Sequence, residues 1–195
     1  MATVAVFPSV LGVRAGIYDF ADRLRAAGHD VRIVDYTDGR TFDDYESALA
    51  EADEHDRQTV MGHALALAKD DLPTGLVVAG FSMGSAMAQH VALQMQARAA
   101  ILVAGASPTS TWGEDTTWPG DCPVQIHAKE QDEFLTDDER EEAAGSLRAG
   151  GAEVEVFTYA GKGHLFNDKD LAEEYDAEAT DLMVQRVVEL LERVD

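Results

Sequence analysis

The sequence has little cysteine and no long hydrophobic run. Cys122 is the only cysteine among 195 residues, which excludes an intrachain disulfide and is typical of a reducing compartment. No apolar run approaches the roughly 20 residues that cross a bilayer. Met1, Ala2 and Thr3 lack the basic segment that opens a signal peptide. We therefore expect a cytoplasmic protein without a transmembrane helix.

Basic side chains are also scarce. The chain carries 15 lysines and arginines against 37 aspartates and glutamates, a formal net charge of −22. Such a surface repels nucleic acid and anionic membranes, so neither is an expected partner. It is compatible with adaptation to high salt and equally with an ordinary acidic surface. We expect a small-molecule partner, no metal and no cofactor, and leave the choice between monomer and weak dimer open.

Short apolar runs alternate with amphipathic segments along the whole chain. This alternation predicts one α/β domain over residues 1–195, with a mostly parallel sheet and helices on both faces. The predicted strands are Val4–Phe7, Val31–Val34, Leu76–Ala79, Ala100–Val103, Val124–His127 and Val154–Phe157. The predicted helices are Ala15–Ala27, Tyr45–Lys69, Ser85–Ala97, Thr136–Ala149 and Leu171–Val194.

A G-x-S-x-G pentapeptide, Gly80 to Gly84, lies between the third predicted strand and the helix that follows it. In a tight strand-to-helix turn, the two glycines allow close backbone approach and the serine hydroxyl stands at the carboxyl end of the sheet. Ser82 is therefore a candidate nucleophile.

A serine nucleophile needs a base, and the base needs a carboxylate that orients it. His164 is the only histidine after the last predicted strand, and its glycine-flanked loop can fold back over the sheet edge. The other five histidines are interpreted as surface or packing residues. Asp132, in the loop after the fifth strand, is the preferred acid, while Glu130 and Glu133 remain open alternatives.

Two backbone N–H groups are expected to face the oxyanion that forms during acyl transfer. One is the N–H of Met83, directly after the candidate nucleophile, and the other is the N–H of Val10, in the loop after the first strand.

The long connection from Ala104 to Pro123 contains both tryptophans, Trp112 and Trp118. Loops of this length are often functional, so the tryptophans are candidate substrate-binding side chains. The alternative is that they only anchor the loop.

Five segments resemble the dienelactone hydrolase family of α/β hydrolases, whose members are small and lack a large lid domain. The resemblance covers nearly the whole chain and rests on residues 8–12, 35–40, 80–84, 132–134 and 163–166. It implies the α/β-hydrolase fold, no cofactor, and a Ser82, Asp132 and His164 triad with the N–H groups of Val10 and Met83 as oxyanion donors.

The chain departs from the family's dienelactone-cleaving members at three positions. Ser82 stands where they have a cysteine, and Ser9 where they have a glutamate. An arginine that holds the substrate carboxylate is missing after His164, where the chain has Asp168. A neutral ester, lactone or thioester therefore fits better than an anionic lactone.

The sequence thus predicts a serine hydrolase that cleaves a small carboxylic ester or lactone through an acyl-enzyme. Two alternatives are an inactive binding or regulatory protein of the same fold, and an acyltransferase.

Overall fold

The centre of the molecule is a parallel sheet of six strands, described here over residues 1–195 in a computed structural model. The strands are β1 (Thr3–Phe7), β2 (Asp30–Ile33), β3 (Val77–Phe81), β4 (Ala99–Val103), β5 (Val124–Gln131) and β6 (Val154–Lys162). Their order across the sheet is β2-β1-β3-β4-β5-β6, and every neighbouring pair is parallel. The predicted α/β fold is confirmed, with an entirely parallel sheet.

Six α-helices connect and cover the strands. They are α1 (Ala15–Ala26), α2 (Tyr45–Asp53), α3 (Arg57–Asp71), α4 (Met83–Met95), α5 (Asp137–Ala149) and α6 (Ala177–Val194), with a short 3₁₀ helix at Thr109–Trp112. None of these helices is both long and apolar enough to cross a membrane.

Two helix predictions are wrong, and in both cases an aspartate is the reason. The predicted helix from Tyr45 to Lys69 is two helices, because Asp56 leaves the helical conformation and its carboxylate accepts a hydrogen bond from Thr59 N. A side chain that caps a new helix in this way interrupts the preceding one. Likewise α6 does not begin at Leu171, because Asp176 caps it by accepting from Ala179 N.

Apolar side chains pack on both faces of the sheet, which is the predicted layer order. One cluster joins the sheet to α1 and α6, with Phe20 and Val187 among its members. The other joins the sheet to α3, α4 and α5, with Val91 and Leu147 among its members. Met83, at the start of α4, packs against both clusters. Ser82 directly follows the carboxyl end of β3, and its N–H donates to Val103 O at the carboxyl end of β4.

Candidate active site

Ser82 occupies a strained turn between β3 and α4. Its backbone has φ 52° and ψ −119°, a conformation that residues other than glycine rarely adopt and that clusters at functional sites. A Cβ on Gly80 would lie 2.2 Å from the carbonyl oxygen of Gly84, and one on Gly84 would lie 2.2 Å from that of Pro8. Neither position leaves room for a side chain, so the turn depends on both glycines of the pentapeptide.

The structure brings Ser82, His164 and Asp132 into one hydrogen-bonded chain. Ser82 Oγ lies 2.7 Å from His164 Nε2. His164 Nδ1 lies 2.8 Å and 2.9 Å from the two carboxylate oxygens of Asp132. Since a carboxylate only accepts, Nδ1–H donates to it, and Nε2 is left to accept the proton of the serine hydroxyl. This is the arrangement in which a serine proton can be removed.

Asp132 is itself held in place by the backbone that follows it. Its Oδ1 accepts hydrogen bonds from Phe134 N at 2.9 Å and from Leu135 N at 3.2 Å, and the residue is buried. Of the three acids that the sequence left open, only this one contacts His164. Glu130 and Glu133 are exposed.

The loop of His164 is fixed by a side chain that the sequence reasoning missed. Glu174 Oε2 accepts hydrogen bonds from His164 N and Leu165 N, both at 2.7 Å, and from the Tyr45 hydroxyl at 3.1 Å. Burial and the nearby Glu174 charge raise the pKa of the Tyr45 hydroxyl, which therefore stays protonated and donates. No sequence motif identifies Glu174. It lies in a turn within the segment Leu171–Val194, whose apolar spacing predicted a continuous helix.

The two residues predicted to supply oxyanion donors, Val10 and Met83, line the same cavity as Ser82. Met83 is the first residue of α4, so its N–H has no acceptor within the helix. In the turn after β1, Leu11 N donates to Ser9 Oγ and Gly12 N donates to Ser9 O, so neither bond uses the N–H of Val10. Val10, Ser82 and Met83 all line the cavity. Ser9 itself is buried and used within its own turn.

The cavity at Ser82 has a volume of about 940 Å³. The connection after β4 lines it through residues 104–108, whereas neither tryptophan does. Trp118 is buried in the core and donates its indole N–H to Cys122 O at 2.8 Å. Trp112 packs against the same apolar cluster. The prediction that these tryptophans contact substrate is therefore corrected: their indole rings anchor the loop.

Asp168, which replaces the missing arginine, does not face the cavity either. Its carboxylate is buried and pairs with Arg14 Nε at 2.7 Å. Arg14 also donates to Phe42 O and thus ties α1 to two loops. The acid therefore belongs to a buried ion pair and does not repel a ligand at Ser82.

The remaining histidines do not contact Ser82. His55 and His63 line the outer cavity, where His55 lies 3.5 Å from a Glu51 oxygen and His63 lies 3.0 Å from an Asp38 oxygen. His127 is buried under α6. No group of three or more histidine, cysteine, aspartate or glutamate side chains is arranged to hold a metal ion.

Comparisons with known proteins agree with this architecture. A model of the dienelactone hydrolase family matches residues 1–195. A dienelactone hydrolase-like promiscuous phosphotriesterase from metagenomic libraries superposes with a TM-score of 0.82 at 19% identity, covering 100% of this chain and 87% of the other. For the esterase PE8 the TM-score is 0.68 at 17% identity, covering 100% and 93%. Mouse alpha/beta hydrolase domain-containing protein 10 gives 0.74 at 14% identity, covering 99% and 90%. No curated protein matches the sequence.

Proposed function

The chain belongs to the dienelactone hydrolase family and is a hydrolase, and from this premise we propose that it cleaves a neutral carboxylic ester or lactone through an acyl-enzyme on Ser82. The observation that carries the proposal is the 2.7 Å contact between Ser82 Oγ and His164 Nε2, continued to the Asp132 carboxylate. His164 is placed to take the proton of the Ser82 hydroxyl, and the Asp132 carboxylate holds the His164 ring in the orientation that this transfer needs.

The reaction has two halves that share the same groups. Ser82 Oγ attacks the carbonyl carbon while His164 Nε2 takes the hydroxyl proton, and the N–H groups of Val10 and Met83 hold the oxyanion. His164 then gives the proton to the departing alcohol oxygen, which leaves the acyl group on Ser82. Water attacks this ester and loses a proton to His164, which then returns the proton to Ser82 Oγ as the bond to the acyl carbon breaks, so that the carboxylic acid departs and the serine hydroxyl is restored.

A neutral substrate is supported by the charges around the cavity. The residues directly after His164 include no arginine that could hold a substrate carboxylate, and the cavity is lined by more carboxylates than arginines. In a chain of net charge −22, an anionic substrate would meet repulsion on approach as well. The alternative of an inactive binding protein would be favoured if side chains filled the site at Ser82. The cavity there is open, so this alternative has no support.

Covalent labelling with a fluorophosphonate tests the proposal. We expect one adduct per chain on Ser82, no adduct in Ser82→Ala, and unchanged labelling in Ser110→Ala, an exposed serine of the 3₁₀ helix. Turnover of short acyl esters should fall by about 10³-fold or more in Ser82→Ala. A folded wild-type protein that takes up no label, together with equal turnover by Ser82→Ala, would refute the proposal.

A further inference from the structure

The cavity at Ser82 extends well beyond the three reacting side chains. Its volume of about 940 Å³ is near the upper end of the range for ligand pockets, roughly 300–1,000 Å³. Part of the cavity is lined by apolar side chains of three helices: Ala48 and Ala52 on α2, Val60 on α3, and Met83, Ala86 and Met87 on α4. We call this part the cleft.

Apolar side chains also remain uncovered at the mouth of the cavity. Leu49 and Phe134 are 41% and 50% exposed, and both line the cavity. Large exposed apolar groups gathered at a cavity are typical of a surface that a ligand covers.

Carboxylates predominate among the charged groups that line the cavity. Arg40 pairs with Glu51, and His63 Nε2 lies 3.0 Å from Asp38 Oδ1. The carboxylates that line the cavity outnumber its two arginines; they are Asp38, Glu51, Asp53, Glu139 and Glu142. An anionic occupant is therefore disfavoured.

The position of His164 indicates which part of an ester enters the cleft. His164 protonates the departing alcohol, and its ring packs against those of Phe134 and Tyr45, with ring centroids 4.7 Å and 5.9 Å from its own. The alcohol therefore lies beside His164, and the rest of the cavity, lined by α2 as far as Ala52, remains for the acyl group. Ala52 lies seven residues beyond Tyr45, about 10 Å at the rise of an α-helix.

From these observations we propose, resting on the proposed function, that the cleft lined by α2, α3 and α4 binds the acyl chain of the substrate. The substrate class is neutral esters of medium-length, unbranched carboxylic acids, hexanoyl to octanoyl. Ala52 and Val60 line the far part of this site and limit the chain length.

A series of p-nitrophenyl acetate, butanoate, hexanoate and octanoate tests the substrate class. Each buried methylene contributes up to about fourfold in kcat/KM, so hexanoate should exceed acetate by at least about tenfold. Equal or better turnover of acetate would overturn the inference. With Ser82 still labelled by the fluorophosphonate, that result would leave the proposed hydrolase itself standing.

A substitution that fills the cleft tests its location. Ala52→Trp should lower the hexanoate-to-acetate ratio of kcat/KM by about tenfold, whereas Ala50→Trp, at an exposed position on the same helix, should keep the wild-type ratio. Val60→Trp on α3 is the second filling variant if Ala52→Trp does not fold by circular dichroism. An unchanged ratio in the folded variant shows that the acyl chain lies elsewhere.

A second inference rests on a different observation, the bonds of Glu174. One carboxylate oxygen of Glu174 accepts three hydrogen bonds, from the backbone N–H of His164, the backbone N–H of Leu165 and the hydroxyl of Tyr45. Gly163, the residue before the histidine, has φ 129°. A Cβ added at Gly163 would lie 3.3 Å from Glu174. This carboxylate thus fixes the backbone from which the His164 ring projects.

We infer that Glu174 is a positioning residue, which keeps Nε2 within reach of Ser82. Glu174→Ala should lower kcat by about tenfold or more while KM changes by less than about twofold, because small misplacements of a reacting group act on the chemical step. Glu174→Gln retains an accepting oxygen and should recover most of the loss.

The matched control is Glu173→Ala, at the exposed neighbouring position. The rate of fluorophosphonate labelling at Ser82 should fall in parallel with kcat, which separates positioning from substrate binding. The inference is overturned if Glu174→Ala behaves as Glu173→Ala does, or if Glu174→Gln is as slow as Glu174→Ala.

Discussion

Mild acid should destabilise this protein through one buried imidazole that takes no part in the proposed reaction. His127 lies in β5 with its ring fully buried. Gln125 donates its amide N–H groups to Glu155 and to the carbonyl of Arg186, so its oxygen faces His127 Nε2 at 3.2 Å. Nε2 must therefore carry the proton, and Nδ1 accepts from the Tyr159 hydroxyl at 2.8 Å.

Burial, with a smaller contribution from the charge of Arg186, lowers the pKa of His127 to about 3. In the unfolded chain the pKa of histidine is about 6.5. Below about pH 6.5 this histidine is protonated in the unfolded state but stays neutral in the folded state. The free energy of unfolding that it contributes above about pH 6.5 is therefore lost as the pH falls toward about 3. Between pH 7 and pH 5 the free energy of unfolding should decrease by about 2 kcal/mol through this group alone.

Urea denaturation at pH 7, 6 and 5 measures the effect. His127→Gln keeps one donor and one acceptor but cannot be protonated, so its stability should fall by about 2 kcal/mol less than that of wild type over this range. His55→Gln, at an exposed position, should follow wild type. If wild type and His127→Gln lose the same free energy between pH 7 and pH 5, the protonation argument is wrong.

Three further substitutions test the packing that supports the site. Gly84→Ala should prevent folding or cost several kcal/mol in the free energy of unfolding, because its Cβ would lie 2.2 Å from a carbonyl oxygen. The control Gly62→Ala meets no atom within 4 Å and should be neutral or stabilising in urea denaturation. Equal effects of the two substitutions would refute the close-approach argument. Arg14→Leu leaves the buried Asp168 carboxylate unpaired and should cost about 3–5 kcal/mol, much of it recovered on adding Asp168→Asn; no recovery would contradict the ion-pair account. Trp118→Phe removes a buried N–H donor and should cost about 1–3 kcal/mol while the KM for esters stays constant; a raised KM would return this tryptophan to the binding site.

The sequence predicted the elements of the fold because its apolar runs are short and clearly separated. A strand such as Val77–Phe81, buried on both faces, leaves an uninterrupted apolar signal. The break between α2 and α3 lies in a stretch without apolar residues, Asp53 to Thr59, where apolar spacing gives no signal, and the local bond of the Asp56 carboxylate decides where the new helix starts.

For the candidate site, the sequence could place groups only where a local pattern or the strand order constrains them. Ser82 has its pentapeptide, and His164 and Asp132 follow the last two strands, whose carboxyl ends share one edge of the sheet. Glu174 has no such pattern around it and is one of 37 acidic residues. Only the folded chain, in which the loop of Glu174 lies against His164, distinguishes it from the others. The two tryptophans were misassigned because loop length does not tell which side of the loop faces the core.

The single thiol of the chain has a practical consequence. Cys122 is buried, and this burial, together with the charge of Asp121, raises its pKa to about 12. At neutral pH it is a protonated and enclosed sulfur, so alkylating reagents and mild oxidants find no thiolate in the folded protein. A single cysteine introduced at the exposed Leu49 would then be the one reactive site for maleimide dyes. The native chain is thus a ready scaffold for fluorescence measurements at the mouth of its own cavity.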